Sequence, residues 1–590
     1  MCVDRPLLAL DRPFTYRLDP GLGAGVGSLV QIPFHGKAVR GYVLGATDDV
    51  PARVLAVRKL VSPVRFFDED MLALARWVSE RYVAPLAAVL ERLHPPRVAS
   101  EEDRTGRDRF PAGDRSRAVG PAPEHLHGYR GGPELLRAVS DGEGAFLLRP
   151  APEHEVDLAV EAVTACVATG RTALVLVPEA EPVPATAAAL LDALGDRTAL
   201  FLGGDRRERY RTWLEIKDGR YTCVIGTRPA VFAPLRGLGL IWVSRESHAA
   251  HREERSPSVH VRDVALARAR LGGAVAVLSA LCPSSEAVVS GVREVSTASR
   301  AWPPVEVVRP GPEGRAPRLV SALRDARRAF LFSPLPGYGV ARVCRACGEP
   351  AACAACGGVL RQEGGRVACT VCGRDGRCRS CGAGDFGVAR RGAERVEEWA
   401  GRLSDVPVRR VGPEGPAGAV PEDGGVAVGG MEAVNDAGPL GLDLVGILDA
   451  DLAARRPGLA ARERALAVWM EAAGWARPGG RVVVQATTPN DPMVQALVQG
   501  NPERFHRTEL PRREQAGFPA GFPVFRVTGS ADLPAALERL SPVAMLVSGA
   551  EDERVCLLTV RPEAVATFGR RARQLAERGV VARVDAEPHL

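Results

Sequence analysis

Apolar and polar positions along the chain divide it into segments of different period. Near the N-terminus, SLVQIPF (28–34) and VRGYVLG (39–45) are β-type apolar runs separated by turn residues. DEDMLALARWVSERY (68–82) then takes up a helical period and stops ahead of PLAAVLERLHPP (85–96). These patterns predict a small β-rich domain closed by helices over residues 1–97. Residues 98–132 are charged, rich in Gly and Pro, and show no periodic apolar face, which predicts a linker. From 133 to 305, helical stretches alternate with short apolar strands: AFLLR, TALVLVP, YTCVIGT, LGLIWVS and AVAVLSA. A second such segment, 306–500, carries AFLFSP, VRRVGP, VGILDADL and RVVVQATTP. Both are parallel α/β patterns. Residues 501–590 end in the order strand, helix, strand, strand, helix, strand, a ferredoxin-like β-α-β-β-α-β arrangement. The fold class expected is a multidomain α/β protein.

Composition refines this picture slightly. The chain has 590 residues, enough for several domains, with 46% hydrophobic and 25% charged residues. No apolar run approaches the ~20 residues of a membrane span, so no membrane partner is expected. MCVDRPLLALDRPF has charges inside it and no apolar leader core, which points to a cytoplasmic protein. A net charge of +6 permits nucleic-acid binding and argues little for it. Only Lys37, Lys59 and Lys217 are lysines; every other basic residue is arginine.

Eight of the thirteen cysteines lie in 38 residues, as four C-x-x-C pairs: Cys344/Cys347, Cys353/Cys356, Cys369/Cys372 and Cys378/Cys381. Each pair puts two sulfurs on one side of a tight turn, and two pairs complete a tetrahedral S4 set for Zn²⁺. Two Zn²⁺ are therefore expected, in a module of residues 344–381 inserted in the second α/β segment. The four pairs can combine in three ways. Residues 357–368 read as a hairpin with Gly364-Gly365 at its tip, favouring a nested arrangement. Cys353/Cys356/Cys369/Cys372 then form the inner site and Cys344/Cys347/Cys378/Cys381 the outer one. No histidine lies between Arg342 and Arg395, so both sites read as structural. Cys2, Cys166, Cys223, Cys282 and Cys556 read as ordinary thiols.

Several fragments resemble the bacterial replication-restart (primosomal) PriA family. They are RPFTYRL, VIGTRPAVFAPLRGLGLIWV, LSALCPSSE, VGILDADL, FHRTELPRREQAGFP and VARVDAEP, together with the cysteine array. The resemblance spans nearly the whole chain. It implies an N-terminal domain that captures DNA 3′ ends, two helicase-type lobes, the zinc insertion and a C-terminal domain. The family's winged helix has no counterpart, because 98–132 is too short and too polar for one.

The motor motifs depart from the family. A P-loop needs glycines, a lysine and Ser/Thr to cradle phosphate and Mg²⁺. AFLLRPAPEHEV stands in its place, with Pro150 and Pro152 lacking amides and Glu153 and Glu155 repelling phosphate. The family's acidic motif is occupied by Ser244, Arg245, Glu246 and Ser247. Trp475 stands where an arginine would meet the γ-phosphate, and Arg477 and Arg481 are out of register. Glu246 and Asp449 read as structural or surface carboxylates. No catalytic residue, no ATP site and no enzymatic activity are expected.

For DNA, the resemblance points to Phe14, Thr15 and Tyr16, where the family has an aromatic-acidic-aromatic triplet. Phe14 and Tyr16 suit stacking on a terminal base and suit a strand core equally. His35, Lys37 and Arg40 form a basic cluster, and Thr227 and Arg228 stand where lobe one meets single-stranded DNA. The partners implied are forked and single-stranded DNA, single-stranded DNA-binding protein, and primosome and replisome proteins including the replicative helicase or its loader. The site of action implied is the nucleoid. Two rival readings are an active 3′–5′ helicase with divergent motifs, and a zinc-ribbon adaptor for protein or RNA outside replication.

Overall fold

The computed structural model describes residues 1–102, 124–297, 302–311, 315–334, 342–347, 353–354, 360–363, 366–369, 373–388, 393–454, 458–549 and 553–587. They fall into two compact units, Met1–Arg300 with His506–His589, and Ala301–Phe505.

The first unit begins with a four-stranded antiparallel sheet in the order Cys2–Val3, Lys37–Tyr42, Ser28–Phe34, Lys59–Arg65. Strands Ser28–Phe34 and Lys37–Tyr42 are joined by the two-residue turn His35-Gly36, with φ of 46° and 78°. Two successive positive φ values suit the twist of a tight hairpin, and Gly36 adopts one without steric cost. The helix Glu69–Arg81 starts on Asp68, whose side chain accepts from the Met71 amide at 2.9 Å. Glu69 and Asp70 in its first turn and Arg81 in its last oppose the helix dipole.

Lobe one is a seven-stranded parallel sheet in the order Arg293–Ser296, Gly144–Arg149, Val275–Ser279, Leu238–Val243, Thr172–Leu176, Cys223–Gly226, Thr198–Phe201. The five inner strands are the apolar runs of the sequence. The two edges, REVS and TALF, are short and partly exposed, so they lack the continuous apolar run of a strand buried on both faces. The C-terminal strands Val524–Gly529, Ala544–Gly549, Arg554–Thr559 and Val581–Ala586 pair antiparallel in the order second-third-first-fourth. Helices Leu533–Glu538 and Val565–Glu577 complete the ferredoxin-like arrangement.

These three parts share one apolar core, from Phe66 and Leu74 through Trp213 and Val264 to Phe525 and Phe568. Ion pairs join them as well: Arg573 to Asp11 at 2.6 Å, and Arg81 to both Asp263 and Glu587 at 3.4 Å.

The linker expected over 98–132 is narrower. Ala99–Glu102 form a helical turn whose two glutamates are buried. Glu102 accepts from Ser62, Tyr210 and both ends of the Arg97 fork, while Glu101 pairs with Arg211 at 2.9 Å. At the other end, Leu126 and Tyr129 are buried in lobe one. In sequence these charges read as solvated because their partners lie far along the chain. Residues 103–123 lie outside the described residues.

The second unit is a six-stranded parallel sheet in the order Val305–Val308, Ala476–Gln485, Leu442–Ile447, Arg328–Phe332, Gly425–Gly429, Val408–Arg410. The cysteine module follows Arg328–Phe332, which is the unit's second strand in chain order. Among the described residues, no helix is long and apolar enough to cross a membrane.

Candidate nucleic-acid interface and metal centre

In the N-terminal sheet, Val30, Ile32 and Val39 point to one face and build a small core with Val3, Val43 and Val57. Phe14, Tyr16 and Phe34 lean on that core without being covered by it. Phe14 meets Phe34 edge-on at 5.2 Å, and Phe34 meets His35 edge-on at 4.4 Å. The Arg12 guanidinium lies 5.4 Å from the Phe14 ring centre. Tyr16 donates its hydroxyl to the Pro33 carbonyl at 3.0 Å, and burial raises the phenol's pKa. Its edge is thereby fixed while part of its ring stays open. Thr15 is half-buried and, among the described residues, makes no side-chain hydrogen bond. The result is a held, half-exposed aromatic cluster beside the tip of a hairpin.

The basic cluster divides. Lys37 lies opposite Phe34 and shares the aromatic face, whereas Arg40 lies opposite Gln31 on the other face, by the alternation of a strand. His35 sits in the turn and touches Phe34. Arg228, expected to face DNA, is consumed inside lobe one. Its guanidinium donates to the Ala250 and Arg252 carbonyls, both at 2.8 Å, and pairs with Glu253 at 3.2 Å. Thr227 holds the N-cap position of the short helix Arg228–Phe232 without a side-chain bond to it. The GTR spelling alone could not show that Arg228's partners come from residues 250–253.

The loop of lobe one that the sequence reading sets in place of a P-loop bonds to its own neighbours. Strand Gly144–Arg149 runs into Pro150-Ala151-Pro152, one 3₁₀ turn, and the helix Glu155–Ala168. The Ala151 amide donates to Tyr129 Oη at 2.9 Å, and the His154 amide to the Ala151 carbonyl at 2.9 Å. Tyr129 Oη lies 3.2 Å from His154 Nδ1, and the rings of His125 and His154 stack at 4.1 Å. His125 reaches Asp157 at 3.3 Å, while the His125 and Leu126 amides both donate to Glu161. The segment 125–129 thus covers the start of the helix, where phosphate would meet backbone amides in a P-loop.

Residues 244–246, which the sequence reading sets against the acidic motif, are likewise bonded internally. Ser244 accepts from Trp242 Nε1 at 3.1 Å, and its carbonyl accepts from His251 Nε2 at 2.7 Å. Arg245, buried and at φ 49°, pairs with Glu179 at 3.1 Å. Glu246 is fully buried, 2.9 Å from Arg262, and accepts from both the amide and hydroxyl of Ser284. Burial and the Arg245 charge hold His248 well below the usual histidine range, and burial above all brings His251 down to about 4. In the second unit, Asp449 lies 3.7 Å from Arg315 and accepts from Gln485 at 3.4 Å. Trp475 is buried edge-on against Phe330 at 5.2 Å, and Arg477 pairs with Asp443 at 2.7 Å.

Four of the eight module cysteines converge. Cys344 Sγ is 3.4 Å from Cys381 Sγ, Cys347 Sγ is 3.6 Å from Cys378 Sγ, and all four sulfurs lie within 4.8 Å of one another. A tetrahedral S4 site with Zn–S near 2.3 Å has sulfur edges of about 3.8 Å. The four thiols therefore fit a metal ion of that kind. The hairpin within the module forms as expected, with Leu360 opposite Cys369 and Glu363 opposite Arg366. Cys353 and Cys369 are buried in the module's small core with Leu360 and Phe386. Cys356, Cys372 and the Gly364-Gly365 tip lie outside the described residues.

A family profile described as "3'DNA-binding domain (3'BD)" matches residues 1–95. The probable replication restart protein PriA of Mycobacterium tuberculosis is 31% identical over 573 residues, covering 90% of this chain and 86% of that protein. The chain belongs to the PriA family. PriA of Treponema pallidum is 27% identical, covering 86% of this chain and 83% of that protein. PriA of Bacillus subtilis is 25% identical over 66% of this chain and 54% of its own length. Within the PriA framework, the aromatic cluster lies inside the 3′ DNA-binding domain. Loop 150–154, residues 244–247 and Trp475 are the positions that the sequence reading sets against the family's nucleotide motifs. The chain is a multidomain α/β protein with a role in replication restart and DNA binding.

Proposed function

We propose that this chain recognises stalled or abandoned replication forks and promotes reloading of the replicative helicase without a nucleotide-driven motor. The observation that carries this is the contrast between an open aromatic cluster in the 3′ DNA-binding domain and a former nucleotide loop whose backbone groups bond internally. Phosphoryl transfer depends on positioning and electrostatics. At the loop, Ala151 donates to Tyr129, and Pro150 and Pro152 have no N–H to offer. At the acidic motif, Ser244 and Arg245 offer no carboxylate for Mg²⁺, and Glu246 is committed to Arg262 and Ser284. The protein acts as a binding platform, not as an ATPase, in the cytoplasm at the nucleoid.

Its partners are forked and single-stranded DNA, single-stranded DNA-binding protein, and the replicative helicase or its loader. The cysteine module holds two structural Zn²⁺, one on Cys344/Cys347/Cys378/Cys381 and one on Cys353/Cys356/Cys369/Cys372, and presents a surface to protein partners. The test is binding to forks with and without a 3′ end at the junction, alongside DNA-stimulated ATP hydrolysis. Fork binding with a preference for the 3′ end and no hydrolysis supports the reading. Robust hydrolysis, or no fork binding, contradicts it.

A further inference from the structure

A cavity of about 150 Å³ lies where the end of the 3′ DNA-binding domain meets lobe one. Arg92, His94, Pro95 and Pro96 line it together with the apolar side chains of Phe201, Trp213, Pro229 and Phe232. That volume is well below the ~300–1,000 Å³ of pockets for drug-sized ligands. It suits one planar ring.

Three arginines and one glutamate line it. Arg92 and Arg228 both pair with Glu253 and donate to carbonyls, so their charge is spent on the wall. Arg209 is different. It is half-buried on helix Arg206–Asp218, and among the described residues its guanidinium has no hydrogen-bond or ion-pair partner. The cavity thus offers an aromatic slot beside one uncommitted cation, complementary to a ring carrying an anion.

We propose that this cavity holds one base of single-stranded DNA, with the adjoining phosphate on Arg209. The ring stacks among Phe201, Phe232 and the prolines, which tolerates any base. Arg92–Pro95 belong to the segment matched as a 3′ DNA-binding domain, so the cavity continues a DNA-binding element. The inference rests on the fork-binding reading above and adds a second contact outside the aromatic cluster at Phe14.

The test uses the full chain with forks carrying a single-stranded tail substituted with 5-iodouracil. Photo-cross-linking is expected on the peptides containing Phe201 or Phe232. Arg209→Ala is expected to weaken tailed-fork binding about tenfold and to reduce the salt slope by about one phosphate, leaving untailed forks unaffected. Phe201→Leu is expected to lose the cross-link while the fold, read by circular dichroism, is kept. Wild-type fork binding with no cross-link in this region and no effect of Arg209→Ala overturns this inference alone. Failure of the wild-type chain to bind any fork overturns both readings. Displacement from the cavity by an acidic, aromatic peptide but not by oligo-dT assigns it to a protein partner and also overturns the proposal.

Discussion

The aromatic cluster at Phe14 and the loop at Pro150 lie in one compact unit and differ in how their polar and aromatic groups are committed. At the cluster, hydrogen bonding fixes one edge of Tyr16 and leaves ring surface open. At the loop, an amide, a phenol and two imidazoles close on one another. The same distinction separates Lys37, exposed on the aromatic face, from Arg228, which is clamped by Glu253 and two carbonyls. Sites that bind need unspent groups; sites that only hold the fold need every buried group satisfied. By this criterion the aromatic cluster keeps groups free to bind, whereas loop 150–154 and residues 244–246 are committed to internal partners.

Metal removal has the largest expected effect. Structural Zn²⁺ contributes about 10–16 kcal/mol of apparent binding energy in small domains. Cys378→Ser should remove about one Zn²⁺ per chain by native mass spectrometry and unfold its module, while fork affinity is largely retained. Loss of fork binding together with the metal would place DNA recognition in the module and break the comparison.

Next comes the buried carboxylate of Glu246. Glu246→Ala removes one of the two carboxylates paired with the buried Arg262, leaving Asp263 at 3.0 Å, and should cost about 1–3 kcal/mol. Denaturant unfolding should show the loss, and Glu246→Gln should lose less because Ser284 can still donate to it. A neutral outcome would mean that Glu246 is not part of the core.

Acid should act on the same region. Burial lowers the pKa of both His251 and His506 to about 4, so each stays neutral when folded. A depressed folded pKa makes protonation favour unfolding. The unit containing them should therefore be stable above about pH 6.5, lose about 1.4 kcal/mol per pH unit per histidine on the way down, and level off near pH 4. Thermal unfolding at stepped pH checks this. His251→Gln should flatten part of the slope.

The binding surface should respond more weakly and without loss of fold. Phe14→Ala with Tyr16→Ala should weaken fork binding by about 1–3 kcal/mol per stacked base, most strongly when a 3′ end sits at the branch. Lys37→Ala should have the smallest effect, lowering the salt slope of binding by about one. An equal effect of Lys37→Ala and Arg228→Ala on DNA binding, with unchanged stability, would blur the distinction between free and clamped cations.

Much of this was legible in the sequence. The inner strands of lobe one, three of the four inner strands of the second sheet, the helix that starts at Asp68, the C-terminal domain and the module hairpin follow from apolar period and turn chemistry, whereas the inner strand Gly425–Gly429 was not read from the sequence. Cysteine spacing together with the hairpin read over 357–368 pointed to the outer four-sulfur set, since C-x-x-C is a local geometric device. Partnerships made across the fold were harder to read. Glu101 and Glu102 looked solvated because Arg211 and Tyr210 lie about a hundred positions away. Arg228 looked like a DNA contact because Glu253 and the carbonyls that clamp it cannot be seen in a three-residue motif. Tyr129 looked like linker, although its hydroxyl closes the loop of a distant strand. Lys37 and Arg40 looked like one cluster until strand alternation put them on opposite faces.

The central claim is that binding persists while the motor is lost, and one preparation can test both halves. Fork affinity is measured first with a 3′ end at the branch, and Mg-ATP is then titrated by calorimetry into the same protein–fork complex. The account predicts saturable fork binding and no heat of ATP binding, with fork affinity unchanged by nucleotide. Micromolar ATP affinity, or fork-stimulated phosphate release, would contradict it.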